Sequence, residues 1–447
     1  MSLINIGFSG LNAAQIALNL SAQNIANVNT VGYSRQEAMM GALSGFGRMD
    51  NGMGVSVNGV RRITDEYMTS QQWRGTSTLG SSYSYYQYIN TAEQLLGSES
   101  MNIAKGLDNF FSALSAAVDS PETPAQRSQI ISSAGSLINR FDQLNESLLL
   151  QEKQIDDQLS SSVKQANSYL GQVAELNKQI AEQQGKGVNT SSLEDSRDLI
   201  VRELSSLVEV RVNRQEDSTY TLSLPQGQPL VLGGSSSTLT LAGDKINLVF
   251  SGQTFEVPKL HGGSLAGVVD YRATVLRPTQ MELNQIAGKL AAEFNAKQMA
   301  GKDLGGAAGK PLFVFDETKD ASGKYVNVLA TLRLADDFNG ADLAFAKGDG
   351  GPGDNRNLQE LLTIKDAQYD AYSSLLGGLA VKSGQAKATM EADANMEKQL
   401  TKSLSSVSGV NLDEEGMKIM SYTQLYQANA KVISTADQLF GAILNMF

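Results

Sequence analysis

Two segments decide the fold: residues 4–25, INIGFSGLNAAQIALNLSAQNI, and residues 412–447, LDEEGMKIMSYTQLYQANAKVISTADQLFGAILNMF. Both place large apolar residues seven positions apart, which is typical of helices that pack side by side along a seam. The repeat consists of Ile4, Leu11, Leu18 and Ile25, and of Leu412, Ile419, Tyr426, Ile433, Phe440 and Phe447. We expect these residues to form an assembly interface. The residues alone also allow a bundle that buries both segments within a single chain.

The charge distribution supports assembly. No Lys, Arg, Asp or Glu precedes Arg35, and after Tyr422 only Lys431 and Asp437 are charged. A helix on a solvated surface normally carries a charged face opposite its apolar stripe. Asn, Gln, Ser and Thr take that place here, and they cost less to desolvate than an unpaired charge. We therefore expect the polar faces of both segments to pack in a crowded array.

Length and composition exclude several functions. A chain of 447 residues suggests about three domains. The formal net charge of −11 argues against nucleic acid as a partner and disfavours an anionic membrane surface. The sequence contains no cysteine, which excludes disulfides, thiolate metal sites and cysteine catalysis. We expect no cofactor and no metal.

The N-terminal segment does not have the pattern of a secretory signal. Residues 1–20 lack a basic residue, and Asn and Gln interrupt the apolar run. No stretch reaches the ~18 to 20 apolar residues of a membrane span. We expect the chain to stay in the cytosol or to leave by a route without a cleaved signal.

The apolar periodicity predicts a mainly α-helical fold with an inserted β domain. The longest helical pattern covers residues 124–184, and a helix of that length would be a rod of about 90 Å. Alternation with a period of two predicts short antiparallel strands over 208–261. The expected domains are an inner one (1–40 and 410–447), a helical rod-like middle one (41–207, 262–300 and 352–409) and an outer β domain (208–261 and 301–351).

The sequence offers little catalytic chemistry. The only histidine, His261, precedes two glycines and is expected to lie in a turn. Residues 348–353 have GxGxxG spacing but lack the strand and helix that a dinucleotide site requires, so a loop is expected. The acidic residues Asp413–Glu415 are expected to lie at the head of the last helix, where they suit the helix dipole, with a specific partner as the alternative. We expect the protein not to be an enzyme.

Motifs near both ends resemble one protein family. SGLNAA at 9–14 and NIANVNTVGYSRQ at 24–36 are similar to the axial proteins of bacterial flagella. SGVNLDEE at 408–415, YTQLYQANA at 422–430 and VISTAD at 432–437 are more specific. Together they resemble the flagellar hook-associated protein 1 family, the hook–filament junction proteins. The axial-family motif residues here are Asn27, Asn29, Gly32, Tyr33, Ser34 and Arg35.

The resemblance implies a structural protein that forms a junction layer between hook and filament. Its expected partners are further copies of itself in a ring, the hook protein and the second hook–filament junction protein. Its paired terminal helices would be innermost and line a channel. The resemblance also implies an extracellular location, reached through the flagellar type III export apparatus.

Two further hypotheses concern the ends of the chain. A dedicated export chaperone would bind the C-terminal helix, with Ile433, Leu439, Phe440, Ile443 and Leu444 as the binding residues. The segment Asn27–Arg35 would be a hinge-like turn in which Tyr33 and Arg35 contact a neighbouring subunit. Glycine and asparagine tolerate unusual backbone angles there.

The family pattern is not matched everywhere. Gly416, Thr423 and Leu425 depart from the usual residues, and the β domain is short. One alternative is another axial protein of the hook or distal rod type. The other is a secreted coiled-coil fibre or adhesin subunit, which would not need the two end motifs.

Overall fold

The computed structural model describes residues 3–43, 53–243 and 245–444, and within them the chain is mainly helical. The helices are α1 (Leu3–Ala26), α2 (Glu66–Gly97), α3 (Ile103–Ala116), α4 (Pro124–Gln184), α5 (Ser191–Leu207), α6 (Gly263–Tyr271), a π-helix (Arg272–Leu276), α7 (Arg277–Ala300), α8 (Val328–Thr331), a 3-10 helix (Gly340–Asp342), α9 (Arg356–Leu362), α10 (Lys365–Ser408) and α11 (Leu412–Leu444).

Four small antiparallel sheets accompany the helices in the described residues. The strands are β1 (Gln36–Ala42), β2 (Val55–Arg62), β3 (Arg211–Arg214), β4 (Tyr220–Ser223), β5 (Pro229–Leu232), β6 (Ser235–Ser236), β7 (Thr238–Ala242), β8 (Lys245–Phe250), β9 (Gln253–Val257), β10 (Phe313–Val314) and β11 (Arg333–Leu334). The sheets have the orders β1-β2, β3-β4-β5-β6, β7-β8-β9 and β10-β11. The predicted mainly helical class with antiparallel β segments is confirmed.

The chain divides into two compact units. Unit 1 contains Met1–Ser81, Ser162–Ala266 and Ala392–Phe447, and unit 2 contains Ser82–Ser161 and Gly267–Glu391. The strands of 208–261 therefore belong to the same unit as the terminal helices, whereas β10 and β11 belong to the other. The structure does not gather the two expected segments of the outer β domain into one unit. The finer division into inner, middle and outer domains stays a prediction.

The longest helix forms where the sequence predicted it. Large apolar residues of α4 recur at three- and four-residue spacing, and Phe141, Leu144 and Leu148 are at most 1% exposed. Pro124 starts the helix, where its missing N–H costs nothing. The helix ends before Gly187, which has a positive φ of 71°. Burial of one continuous face stabilises a helix of this length.

Side-chain amides of helices fix strands in unit 1. The carboxamide of Asn177 on α4 donates to Tyr220 O at 2.8 Å and accepts from Tyr220 N–H at 2.9 Å. Asn167 makes the same double contact with Leu239, at 2.8 and 2.7 Å. Each amide satisfies both backbone groups of one strand residue, so it sets the register of that strand against α4.

Candidate functional site

The terminal helices α1 and α11 lie against each other in unit 1. Gly7 and Gly10 of α1 lie directly against Asn429 and Ile433 of α11. A Cβ atom added at Gly10 would lie 2.5 Å from Asn429 Oδ1, and one added at Gly7 would lie 2.8 Å from Ile433 Cγ1. A side chain at either position would require Ile433 or Asn429 to shift. The predicted pairing of the two ends is confirmed.

The residues of α1 that are buried within the single chain are not the predicted assembly residues. Its buried residues are Gly7, Gly10, Ala13, Ala14, Ala17, Leu20, Ser21 and Asn24. Two series with seven-residue spacing dominate this surface, one beginning at Gly7 and the other at Gly10. The predicted residues Ile4, Leu11, Leu18 and Ile25 are only half-buried beside it. The physical reason is that small side chains let the two backbones approach, and larger ones then lie to the sides.

On α11 the predicted apolar series is covered only in part. Ile419, Tyr426 and Ile433 are half-buried, whereas Leu412 and Phe440 are 52% and 58% exposed. The only buried residues of the helix in its described part are Glu415 and Ala436. Phe447 lies outside the described residues. The assembly role of the series stays a prediction.

The outer faces of both helices expose large apolar side chains. Phe8 on α1 is 65% exposed, and Met417 and Met420 on α11 are 65% and 66% exposed. Near the end of α11, Leu439, Ile443 and Leu444 are also more than half exposed. Contiguous exposed apolar residues mark surfaces that bind other proteins. Four of the five residues hypothesised to bind a chaperone are thus exposed in the single chain, and Ile433 is half-buried.

Asn24 joins three elements at the base of the helix pair. Its side chain is 1% exposed, and its Nδ2 donates to Gln36 O at 2.9 Å and to Glu415 Oε2 at 3.1 Å. Its Oδ1 accepts the N–H of Gln36 at 3.0 Å and the hydroxyl of Tyr33 at 2.8 Å. These four contacts use the full hydrogen-bonding capacity of the carboxamide. Asn24 therefore connects α1 with β1 and α11.

Glu415 is the buried charge of this base. Its residue is 0% exposed, and Lys418 Nζ donates to its Oε1 at 2.9 Å. Burial raises the pKa of Glu415, but hydrogen bonds from Lys418, Asn24 and Ser21 outweigh it, so the pKa lies below its ordinary value. Lys418 also donates to Glu37 of β1 at 3.2 Å. Glu415 of the acidic triplet thus has specific partners within the chain in addition to its place in the first turn of α11.

The axial-family motif residues build the turn that follows α1. The Asn27 amide donates to Gln23 O at 2.9 Å, and its oxygen accepts the Thr30 hydroxyl at 3.1 Å. Asn29 is exposed. Gly32 has a φ of 84°, which favours glycine and confirms the prediction of an unusual backbone angle there.

Tyr33 and Arg35 both have partners in their own chain. Burial, with the nearby charges of Asp195 and Glu415, raises the pKa of Tyr33 to about 12, so its hydroxyl remains a donor to Asn24. The Arg35 guanidinium pairs with Glu414 at 3.1 Å. The hypothesis placed these side chains against a neighbouring subunit, whereas their contacts in the structure lie within the chain.

A carboxylate cluster lies next to the turn. It consists of Arg62 with Glu194, Asp195 and Asp198. Arg62 lies 3.1, 2.8 and 2.7 Å from the three carboxylates. Ser34 connects the turn to this cluster, because its N–H donates to Asp195 Oδ2 at 3.3 Å and its hydroxyl accepts from Arg62 at 3.3 Å. Burial raises the pKa of Asp195 in spite of Arg62.

Sequence reasoning did not identify Asn24 as a site residue and did not identify Arg62 at all. Three acidic residues, Glu194, Asp195 and Asp198, share one side of a helix, and this spacing indicates a cationic partner such as Arg62. Their partner lies more than 130 positions away in the sequence, so local patterns do not reveal it. Asn24 opens the family motif at 24–36, but neither that motif nor its uncharged polar character identified its partners.

Other chemistry is limited in the described residues. They contain no group of three or more His, Asp or Glu side chains that could hold a metal ion. None of the helices in these parts of the chain combines the length and apolar character needed to cross a bilayer. His261 is exposed after β9, and residues 348–353 form a loop, as predicted.

Family models match both the middle of the chain and its ends. The model of the helical domain of the flagellar hook-associated protein FlgK matches residues 89–313. A model of the flagella basal body rod protein matches residues 4–33, and one of the C-terminal part of the flagellar basal body rod proteins FlgE, FlgF and FlgG matches residues 403–446. Together with the paired terminal helices, these matches define a structural protein of the bacterial flagellar axis.

Relatives matched over their full length identify the family within the flagellar axial proteins. Flagellar hook-associated protein 1 of Salmonella typhimurium is 32% identical over 100% of both chains, and that of Escherichia coli is 30% identical over the same share. The Bacillus subtilis protein of the same name is 24% identical over 97% of this chain and 96% of its own. This chain belongs to the flagellar hook-associated protein 1 family and is thus a component of the extracellular flagellum.

A solved structure is similar in fold. The flagellar hook junction protein FlgK from Burkholderia pseudomallei matches with a TM-score of 0.68 at 18% identity, over 77% of this chain and 100% of the solved one. At this identity the likeness concerns the fold, and it agrees with the mainly helical architecture described above.

The close approach of α1 and α11 predicts opposite effects for two glycine substitutions. Gly7→Ala should loosen the helix pair by about 1 to 3 kcal/mol, because its Cβ would collide with Ile433. Gly416→Ala meets no atom within 4 Å and should stabilise α11 by about 0.5 to 1 kcal/mol. Hydrogen exchange of residues 3–26 and 412–444 measures both. Equal effects of the two substitutions would contradict the contact surface.

The lowered pKa of Glu415 predicts that the contacts between α1 and the start of α11 weaken at acid pH. The ionised form is favoured in the folded chain, so its contribution is complete above the ordinary value of 4.5 and is lost as pH falls through the folded-state value. Glu415→Gln should cost about 1.5 to 3 kcal/mol at neutral pH. In the wild-type chain, the protection of amides 410–420 from hydrogen exchange should fall at acid pH. Glu415→Gln should remove this pH-dependent fall, and Glu414→Gln should keep it. An unchanged fall in Glu415→Gln would refute the role of this carboxylate.

Proposed function

We propose that this chain forms the layer between hook and filament by packing its terminal helix pair, α1 and α11, against further copies and against neighbouring axial proteins. The supporting observation is the set of large apolar side chains that the pair leaves exposed, among them Met417, Met420 and Phe440 of α11. Each such side chain contributes roughly 1.5 to 3 kcal/mol when a neighbour buries it fully. A ring of copies supplies that cover on every subunit.

The polar faces of the helix pair suit the inside of a tube. Asn12, Gln15, Asn19 and Gln23 of α1 are exposed and uncharged. A surface of this kind hydrates without attracting passing chains of either charge. We place this face toward a central channel, with the segments 1–40 and 410–447 as the innermost domain.

The neighbours along the axis would be the hook protein on one side and the second hook–filament junction protein on the other. The ends of this chain match models of rod proteins, whereas its middle matches the FlgK helical domain. Ends of a common type support packing against other axial proteins, and the distinct middle supports a specific layer. This pattern favours a junction protein over a hook or distal rod component. The fibre or adhesin alternative accounts for neither end.

The exposed end of α11 supports a second partner before assembly. Leu439, Phe440, Ile443 and Leu444 would associate unproductively in the cell if they remained uncovered. An export chaperone that binds these residues and Ile433 would cover them until the chain enters the type III export apparatus. The junction role needs no catalysis, and we propose that the protein is not an enzyme.

Electron microscopy of a strain that lacks this protein tests the junction role. Hooks without filaments and flagellin shed into the medium are expected, and the wild-type gene should restore filaments. The double variant Phe440→Ser/Ile443→Ser should reduce filament number at least tenfold, because two large apolar contacts are lost. Gln438→Ser, on an exposed polar side chain of the same helix, serves as the control. Normal filaments in the double variant would contradict the assembly surface.

Truncation tests the chaperone separately. A chain that ends at Val410 lacks α11, and it should no longer bind the chaperone in a pull-down from the cytosol before export. The Gln438→Ser chain should bind normally. Retained binding by the truncated chain would show that the chaperone recognises another segment.

A further inference from the structure

Two linkers connect the terminal helix pair to the remainder of unit 1, and they meet at the end of α10. The first linker is Asn27–Arg35, after α1, and the second is Gly409–Asn411, before α11. The N–H of Arg35 donates at 2.9 Å to the carbonyl of Ser408, which is the last residue of α10 and directly precedes the second linker. The first linker is therefore fixed to the point from which the second one starts.

The contacts at this place fall into two classes of exposure. Arg62 of the carboxylate cluster has a 9% exposed side chain, and Asn24 is 1% exposed. The ion pair between Arg35 and Glu414 is more open, with side chains 18% and 51% exposed. Exposed ion pairs are weak and screened by salt, whereas buried charges that lose a partner are strongly penalised. The Arg35–Glu414 pair is therefore the first of these contacts to open under load.

The space for such an opening is present. A cavity of about 150 Å³ lies beside the first linker, between α2, α5 and α10, and Tyr33, Ser34 and Gly409 contribute to its lining. Gly32, with its positive φ, also lines this cavity and packs against Leu199, whose Cβ would lie 3.3 Å from a Cβ added at Gly32. A packed interior would resist a pivot, since protein cores transmit strain, but an unfilled volume permits the turn to shift.

We propose that the two linkers form one hinge for the terminal helix pair, and that the Arg35–Glu414 ion pair limits its opening. Asn24 and the carboxylate cluster hold the base of the hinge closed. The ion pair opens and reforms as the helix pair pivots against the remainder of unit 1. This inference rests on the proposed junction role, in which a subunit accommodates curvature that changes as the flagellum turns.

Hydrogen exchange of the purified full-length chain tests the hinge without assembly. Arg35→Ala should raise the exchange rates of amides 30–36 and 409–416 by about two- to fivefold, the factor that one exposed ion pair carries. The charge-swapped double variant Arg35→Glu/Glu414→Arg should return them to the wild-type rates. The matched control is Arg333→Ala, which removes the exposed pair between Arg333 and Asp336 in unit 2.

Rates in Arg35→Ala that equal those of the wild type, or a rise of the same size at the linkers in Arg333→Ala, would overturn the hinge. Failure of the charge swap to restore the rates would do so as well. Circular dichroism confirms that each variant is folded. High salt should reproduce the effect of Arg35→Ala in the wild-type chain and add nothing in the variant.

Filament retention under shear tests the consequence in cells. In the strain that lacks this protein, Arg35→Ala should restore filaments that are lost at lower shear than those restored by Arg333→Ala. Failure of the wild-type chain to restore filaments would overturn the proposed function. Restored wild-type filaments together with equal shear resistance of the two variants would overturn the hinge alone.

Discussion

The two ends of this chain are joined by a buried hydrogen bond between Asn24 and Glu415, which are 391 residues apart. A carboxylate that is 0% exposed requires partners, because an unpaired buried charge is strongly destabilising. Asn24 and Lys418 supply them, and Asn24 in turn fixes Gln36 at the start of β1. Because these groups satisfy one another, loss of Asn24 or Glu415 weakens the contacts among α1, α11 and β1 together.

The contacts of Asn24 and Glu415 explain how the helix pair can have a fixed geometry and still expose large apolar side chains. The contact surface of α1 consists largely of glycine, alanine and serine, so the two backbones approach closely and little large apolar surface is used. The large residues remain to the sides and on the outer face, where Met417 and Phe440 are more than half exposed. A single chain thus sets the geometry of the pair, and its large apolar side chains stay open to the partners proposed above.

The ion pairs near the terminal helices differ in their exposure to solvent. The carboxylate cluster around Arg62 is nearly closed to solvent, and the Arg35–Glu414 pair is open to it. Since solvent screening decides how much an ion pair contributes, the same chemistry gives a firm anchor at one place and a reversible contact at the other.

The sequence by itself determined the helical class, the bounds of α4 to within a residue, the antiparallel strands of 208–261, the pairing of the uncharged ends and the family. These follow from apolar periodicity, charge and local motifs, which are properties of neighbours along the chain. Only the tertiary structure decided that Gly7 and Gly10 rather than Ile4 and Leu11 lie closest to α11, and that Arg62 meets three carboxylates of α5. Periodicity identifies the residues that share a face, but the distance between two backbones and the partners of a buried charge depend on residues that are hundreds of positions apart.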